Sequence, residues 1–458
     1  MSLSTVKVHL YCVNVVEGNI MKKIHALNDI QVYNSMSNKL EPLVPLSKGI
    51  VKIYICGITV YNFCHVGHAR TQLAVDFIIR YLKYKGLKVI WVRNITDIDD
   101  KIIREATRLN TDINSLCDRM IGHMHADFRN LNLLKPDFEP RATHYIAKMI
   151  EIILGLITGG YAYIADSGDV MYKISSFGEY GLLSNYKQKG GQEDDFVLWK
   201  LAKDGEPSFD SPWGKGRPGW HIECSAMSHA ILGRRFDLHL GGRDLKFPHH
   251  ENEIAQSTAY HGCCPARTWM HIGMLNVNGS KMSKSLNNFI DIKSLLDTYS
   301  ANVVRYFFAM TKYSKDVSYS EENLNCARST LNNLLSNLEP YDYDSKYLDE
   351  KIISQFEEHM SNDFNTPAVN ALLTSSKARW NLNRCSAARN SILRILDALG
   401  FELSLKVSVA EIEELILERA NAKSDGNFQR SDEIRSLLKK KSIVLSDQGS
   451  TTTWKQIH

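Results

Sequence analysis

The sequence predicts an α/β protein: a parallel-sheet domain split by a loop-rich insertion, then a helical region and a small C-terminal part. Three observations carry that expectation. A strand, a helix and a second strand follow one another between Val51 and Arg93. A second α/β stretch covers residues 222–273, and beyond Tyr319 the pattern turns helical and polar. Strand, helix, strand at this spacing is a βαβ unit, because parallel strands need a crossover of a dozen or more residues. At roughly 100–200 residues per domain, 458 residues suggest three or four domains.

The elements follow in chain order. Residues 1–20 are mildly apolar but lack arginine and a small-residue cleavage site, so they read as neither a secretory signal nor a transit peptide. Met21, followed by Lys22 and Lys23, is an alternative start, and residues 1–20 are set aside as an extension. The first strand, Val51 to Cys56, alternates apolar residues at 51, 53 and 55 and ends at Gly57. A helix from His68 to Tyr84 puts Leu73, Phe77, Tyr81 and Tyr84 on one face, and Gly86 closes it. Lys88 to Arg93 is the next strand. Residues 112–160 are helical in pattern. Residues 161–220 are rich in Gly, Pro, Trp and Asp, with Asp169 to Tyr172 a short strand. Phe236 to Leu240 is a strand before Gly241-Gly242. The charged tail, 408–458, contains one amphipathic helix marked by Ile412, Leu415, Ile416 and Arg419.

Composition excludes several classes. A hydrophobic fraction of 44% with 23% charged residues is ordinary for globular protein, which removes collagen, coiled coil and disorder. No run reaches 18 uninterrupted apolar residues, so no membrane helix is expected. A formal charge of +4 neither requires nor opposes a nucleic-acid partner. Nine cysteines without compact spacing argue against a secreted disulfide framework and for the cytoplasm.

Three groups of residues carry chemistry. His65-Val66-Gly67-His68 lies between the first strand and its helix. A helix N-terminus there offers free N–H groups and a positive dipole end to a phosphate. Gly67 permits close approach, and the two histidines hydrogen-bond phosphate as charge develops. Lys281-Met282-Ser283-Lys284-Ser285, after Asn278-Gly279, supplies two cations and two hydroxyls able to neutralise a pyrophosphate leaving group. Cys56, Cys224, His249 and Glu253 make a zinc-compatible set of two thiolates, an imidazole and a carboxylate. His249 and Glu253 are four apart and share one helical face. Against this stands the ordinary role of buried cysteine as a small hydrophobe. Cys12, Cys64, Cys117, Cys263, Cys264 and Cys326 read as non-ligand thiols.

The first two motifs, in this order around an interrupted parallel sheet, resemble the HIGH and KMSKS motifs of class I aminoacyl-tRNA synthetases. Longer phrases are similar to cysteinyl-tRNA synthetases. They are Tyr54-Ile55-Cys56-Gly57-Ile58-Thr59-Val60-Tyr61, Asn94-Ile95-Thr96-Asp97-Ile98-Asp99-Asp100-Lys101 and Gly219-Trp220-His221-Ile222-Glu223-Cys224-Ser225-Ala226-Met227. Phe247-Pro248-His249-His250-Glu251-Asn252-Glu253 and Asp363-Phe364-Asn365-Thr366-Pro367 complete the set. The match runs from about residue 24 to Trp454.

The resemblance implies a cysteine–tRNA ligase with a Rossmann-type catalytic domain, an inserted connective subdomain, a helical anticodon-binding domain and a small C-terminal domain. It implies one zinc per chain on Cys56, Cys224, His249 and Glu253, choosing His249 over His250, and Mg²⁺ with ATP. It implies ATP contacts from His65, Gly67, His68 and Lys284, catalytic roles for His65, His68, Lys281 and Lys284, and an amino-acid pocket near Thr96 and Trp220. The partners implied are cysteine, ATP and cysteine tRNA, with no membrane and a monomeric chain. The implied boundaries are 21–143 and 222–273 for the two catalytic halves, 144–221 for the insertion, and 274–330 for the KMSKS-bearing region. The helical domain then takes 331–403 and the C-terminal domain 404–458.

Some residues fall outside that pattern. Thr96 with Asp99 reads first as a helix N-cap. Trp199 and Trp213 read as packing residues, and Trp220 as the best candidate for a substrate wall. Asn287 stands in place of a glycine, Leu240 and Arg243 alter the turn before Asp244, and the loop from Leu183 to Asp195 looks shortened. Arg328, Arg379, Arg384, Arg389, Lys439, Lys440, Lys441 and the Trp454-Lys455 pair are candidate RNA contacts. Two rival readings are a cysteine ligase acting on an amino-sugar, which lacks the C-terminal region, and an inactive zinc-containing RNA-binding module.

Overall fold

The structure, a computed structural model, describes residues 29–187, 194–203, 206–277, 280–281, 289–339, 341–403, 408–441, 443–448 and 451–456. Residues 1–20, Met21, Asn278-Gly279, Lys284, Asn287 and most of the loop before Asp195 lie outside the described residues.

Strands β1 (Gln31–Asn34) and β2 (Lys39–Pro42) form an antiparallel hairpin ahead of β3 (Ile50–Thr59). Helix α1 (Val66–Tyr84) and strand β4 (Lys88–Thr96) complete the expected βαβ unit, with β3 and β4 parallel. Helices α2 (Asp100–Leu109) and α3 (Ile113–Asn130) follow, then α4 (Ile146–Thr158). Strands β5 (Ala162–Ile164), β6 (Val170–Tyr172), β7 (Phe196–Leu201) and β8 (Gly216–Pro218) pair in chain order as an antiparallel sheet. The Gly- and Pro-rich stretch is therefore a small folded sheet rather than loop alone. Trp199 is fully buried there with Trp213 packed beside it, as packing residues.

The chain returns through α5 (Ile222–Leu232), β9 (Phe236–Gly242), α6 (Glu251–His261) and β10 (Ala266–Ile272). The central sheet has the order β10-β9-β3-β4 and is parallel at every pairing. β3 buries both faces. Val51, Ile53 and Ile55 enter one apolar cluster with α1, whereas Tyr54 and Cys56 enter another with Cys224 and Ile254. Because side chains alternate along a strand, that split puts Cys56 on the side where α5 and α6 pack.

Next come β11 (Leu275–Val277), β12 (Ser280–Lys281), α7 (Ile292–Thr298), α8 (Ala301–Ala309), β13 (Val317–Tyr319) and α9 (Glu321–Leu335). Helices α10 (Glu350–Ser361), α11 (Thr366–Asn383) and α12 (Ser386–Ala398) bear out the helical pattern beyond Tyr319. The tail holds more than one helix. Helices α13 (Val409–Ser424) and α14 (Phe428–Lys440) precede a hairpin of β14 (Ile443–Gln448) and β15 (Thr451–Gln456), which the polar composition hid. These last elements share a small core of Ile412, Ile434, Leu438, Ile443 and Leu445.

Candidate active site and metal centre

In the strand order β10-β9-β3-β4, the chain winds outward from β3 to β4 on one side and from β9 to β10 on the other. The carboxyl ends of β3 and β9 thus flank a topological switch point, where open α/β sheets bind ligands. A cleft of about 380 Å³ opens there. Its walls come from Cys56 to Tyr61 after β3, from His65 to Gln72 on α1, from Gly242 to Leu245 after β9, and from Ile272 to Leu275 after β10.

The α1 end of the cleft is a histidine capping box. His65 is the N-cap, and its Nδ1 accepts from the backbone N–H of Gly67 at 3.1 Å and of His68 at 3.3 Å. The Nδ1 of His68 accepts from the His65 N–H at 3.2 Å. With Nδ1 accepting on both rings, a neutral imidazole carries its proton on Nε2. Burial, followed by the neighbouring His65, holds the His68 pKa well below the ordinary histidine value. At neutral pH His68 is therefore a neutral N–H donor. The helix starts two residues before the expected His68 because His65 supplies the cap. The loop is held from outside by Val66 N–H to the Ile290 carbonyl and Ile292 N–H to the Cys64 carbonyl, both at 2.9 Å.

Lys281 belongs to β12, with its backbone paired to Asn276 of β11. Leu275, on the strand beside β12, and Phe289 line the cleft. Lys284 itself lies outside the described residues.

At the base of the cleft, the candidate ligand atoms of Cys56, Cys224, His249 and Glu253 all lie within 4.8 Å of one another, and all four residues are buried. The two sulfurs are 3.9 Å apart, and Cys56 Sγ is 3.4 Å from Glu253 Oε1. His249 Nε2 lies 3.0 Å from the same carboxylate oxygen. The β3–β4 register shifts between Ile55 and Ile58, at Cys56 and Gly57. Gly57 has to be glycine there, because a Cβ would stand 1.6 Å from the Asn94 carbonyl oxygen. The Asn94 side chain closes the turn by accepting from the Gly57 N–H at 2.8 Å.

The electrostatics suit a cation. Burial pushes the Cys56 thiol up, while the hydrogen bond from Cys56 pulls Cys224 down to about 6, so the first proton leaves Cys224. Burial raises the Glu253 carboxyl, but His239 and His249 outweigh it and hold the group well below its usual range. Against burial, which lowers it, Glu253 and Cys224 raise the His249 pKa to about 10, so thiolate, carboxylate, thiol and imidazolium converge at buried positions beside the cleft that Cys56 lines. This donor set fits zinc, which takes Cys, His and carboxylate ligands.

Sequence reasoning missed the shell around these four. His221 Nδ1 lies 2.9 Å from His249 Nδ1, and His239 Nε2 lies 2.9 Å from Glu253 Oε2. His250 Nε2 is 3.4 Å from Cys56 Sγ, and its other nitrogen is 2.9 Å from His271 Nε2. Cys56, His239, His250 and Glu253 thereby form a second ligand-competent grouping that shares two members with the first. The abundance of histidine in 221–271 was the available signal.

Trp220 stands 41% exposed at the cleft wall with its ring centroid 4.4 Å from that of His249. Its exposure separates it from buried Trp199. Thr96 does not cap α2; Asp99 does, through the Lys101 N–H. Thr96 instead ends β4 and donates to Glu223 at 3.0 Å, where burial and then Cys224 raise the Glu223 carboxyl well above its ordinary range. A threonine that closes a parallel strand is already committed to the ladder, which leaves the N-cap to the next free carboxylate. Arg243 forms an ion pair with Asp316, which also accepts from the Met274 N–H, so this departure ties the turn after β9 to the opposite wall. Leu240 is buried within β9.

A family model for the catalytic domain of class I (C) tRNA synthetases matches residues 42–329. A protein of Francisella philomiragia subsp. philomiragia, named as a cysteine–tRNA ligase, is 46% identical over 459 residues, covering 93% of this chain and 99% of that one. A protein of the same name from Francisella tularensis subsp. novicida is 47% identical with the same coverage. Mycobacterium tuberculosis methionyl-tRNA synthetase, solved in complex with methionyl-adenylate, aligns with a TM-score of 0.57 over 76% of this chain and 89% of its own. At 15% identity that likeness concerns the fold alone.

Proposed function

The chain belongs to the cysteinyl-tRNA synthetase family, and from that premise we propose that it activates cysteine with ATP and transfers the cysteinyl group to the terminal ribose of its tRNA. The observation that carries the reading is the juxtaposition, across one cleft, of the His65–His68 capping box and the Cys56, Cys224, His249, Glu253 cluster. One end suits phosphate and the other suits a thiol.

In the first step a carboxylate oxygen of cysteine displaces pyrophosphate from the α-phosphate of ATP. Such a displacement needs positioning and charge neutralisation more than covalent help. His65 and His68 present Nε2–H donors to the phosphates, Gly67 lets the nucleotide approach the helix N-terminus, and Lys281 and Lys284 close over the leaving pyrophosphate. Mg²⁺ accompanies the ATP. In the second step a ribose hydroxyl attacks the acyl carbon, and AMP leaves.

Cysteine and serine are near-isosteric, and shape alone separates such pairs by about 10²-fold. Cys56, Cys224, His249 and Glu253 would hold zinc, which when bound supplies a thiophilic contact that favours thiolate over hydroxyl. Trp220 forms the wall beside that centre, and Thr96 lies behind it. His221 and His239 orient His249 and Glu253, as hydrogen-bonded partners of metal ligands do.

The reading assigns residues 21–143 and 222–273 to the catalytic domain, 144–221 to the insertion, 274–330 to the KMSKS region, 331–403 to anticodon binding and 404–458 to a separate C-terminal domain. The independent apolar cluster of the tail supports the last boundary. The chain acts as a cytoplasmic monomer; no helix among the described residues is long and apolar enough to cross a membrane. The match to relatives over 93% of this chain favours a tRNA substrate over an amino-sugar. Cysteine-dependent ATP–pyrophosphate exchange together with charging of cysteine tRNA tests the proposal. Exchange that persists without any charging would move the reading to the amino-sugar ligase.

A further inference from the structure

One corner of the cleft is used by neither the phosphate end nor the metal end. Tyr61 and Lys101 line it. Tyr61 follows β3, half-buried, and Lys101 is an exposed residue in the first turn of α2. The Lys101 ammonium stands 5.9 Å from the centre of the Tyr61 ring.

Acidic residues surround Lys101, each with a partner other than its ammonium. Asp99 caps α2 through the Lys101 backbone N–H at 2.7 Å. Asp100 pairs with Arg217 at 2.5 Å and Lys200 at 3.6 Å, which anchors the start of α2 to β7 and β8. Glu105, one turn along from Lys101, pairs with Arg108 at 2.7 Å. Among the described residues Lys101 makes no ion pair. It is an exposed cation lining the binding cleft beside an aromatic ring.

We propose that Tyr61 and Lys101 seat the 3′-terminal nucleotide of the tRNA, Tyr61 against the base and Lys101 against the terminal phosphate. The inference rests on the function proposed above. Transfer requires the terminal ribose to reach the acyl carbon from outside the cleft, so its base and phosphate must settle on the rim. A ring and a cation side by side are the elementary unit of single-strand recognition, since every base has a stacking face and every nucleotide a phosphate. The cysteine carboxylate is a poorer fit for Lys101, because the thiol-binding cluster lies buried at the base while Lys101 is exposed at the mouth.

The test compares two rates in the full-length enzyme carrying Lys101→Ala, Lys101→Arg, Tyr61→Leu or Tyr61→Phe. One is cysteine-dependent ATP–pyrophosphate exchange; the other is single-turnover transfer from preformed enzyme-bound cysteinyl-adenylate to a cysteine tRNA transcript. The expected result is a transfer-to-exchange ratio at least tenfold lower in Lys101→Ala and Tyr61→Leu, with substantial recovery in Lys101→Arg and Tyr61→Phe. An unchanged ratio in Lys101→Ala overturns the assignment, as does a larger loss in exchange with a raised KM for cysteine, which would give Lys101 to the amino acid. Lys101 is exposed, so its variants keep the question answerable should Tyr61→Leu misfold. Wild-type protein that neither exchanges nor charges would instead defeat the functional reading beneath this one.

Discussion

His65 and His68 stack ring on ring with centroids 3.6 Å apart, and each accepts at Nδ1 a hydrogen bond from the other's backbone. The helix cap thus decides which ring nitrogen carries the proton. Two residues serve at once as the structural start of α1 and as a pair of outward N–H donors. Separating those roles is possible because asparagine is an excellent N-cap. His65→Asn should keep the melting temperature near wild type while losing one Nε2–H donor. Removing a single donor to developing charge typically costs about 10²–10³ in rate. Rapid-quench measurement of adenylate formation should show a loss of that order. A matching collapse in thermal stability would mean that His65 acts only as a cap.

Much of the frame was readable because the central strands and α1 are strongly periodic. Val51, Ile53 and Ile55 alternate, and Leu73, Phe77 and Tyr81 recur at helical spacing on buried faces. The metal cluster was readable only with the help of resemblance, since Cys56 and Glu253 are 197 positions apart and only the packing of α5 and α6 on β3 joins them. The surrounding histidines stayed hidden for a related reason. His239 and His271 sit on buried strands, where one polar residue among apolar ones carries no local periodicity. The terminal hairpin was missed because its second strand, Thr451 to Gln456, is polar and leans on Ile443 and Leu445 of its partner.

The two overlapping ligand groupings make opposite forecasts for metal binding. Cys224 belongs only to the first and His250 only to the second. Cys224→Ser should lose most of the bound zinc, measured per chain by elemental analysis, and should lose more than His250→Asn. Cysteine-dependent exchange should fall with zinc content, whereas ATP binding, followed by calorimetry, should barely change. A reversed order of zinc loss would move the metal to the His239–His250 side.

Asp127 on α3 sets a pH dependence away from the metal. Burial, and then the carboxylate of Asp291, raises its pKa to about 6, with Lys293 only partly opposing. A carboxyl whose folded value exceeds its unfolded value contributes stability below the unfolded pKa, near 4, and loses that contribution as pH rises through about 6. Above that pH the native state carries a buried charge beside another. Asp127→Asn should therefore raise the melting temperature at pH 8 and leave it nearly unchanged at pH 4. Thermal denaturation across that range checks the sign; stabilisation confined to low pH contradicts it.

The last prediction concerns the tail and the helices before it, where fewer cations are available than the sequence suggests. Arg389 donates to the carbonyls of Leu338 and Asp342, Arg379 pairs with Asp349 at 2.7 Å, and Lys441 pairs with Glu411 at 2.7 Å. Trp454 packs, partly buried, on the small tail core. Lys439 and Lys440, in the last turn of α14, are exposed and make no ion pair among the described residues. Backbone phosphate contacts from such lysines strengthen RNA binding without reading sequence, while specificity comes from unpaired bases. The tail has its own apolar cluster, and among the described residues none of the tail lines the cleft. Deleting residues 404–458 should therefore leave cysteine-dependent exchange within about threefold of wild type, since adenylate chemistry depends on positioning inside the cleft. Charging at limiting tRNA should fall by about tenfold or more, with a shallower dependence of tRNA binding on salt because phosphate contacts are lost. Lys439→Ala with Lys440→Ala in the full-length chain should reproduce part of that loss without disturbing the fold. Filter binding over a salt series, run beside both activity assays, measures every term. Equal loss of exchange and charging in a truncation that retains its native circular dichroism would show that the tail supports the catalytic cleft itself.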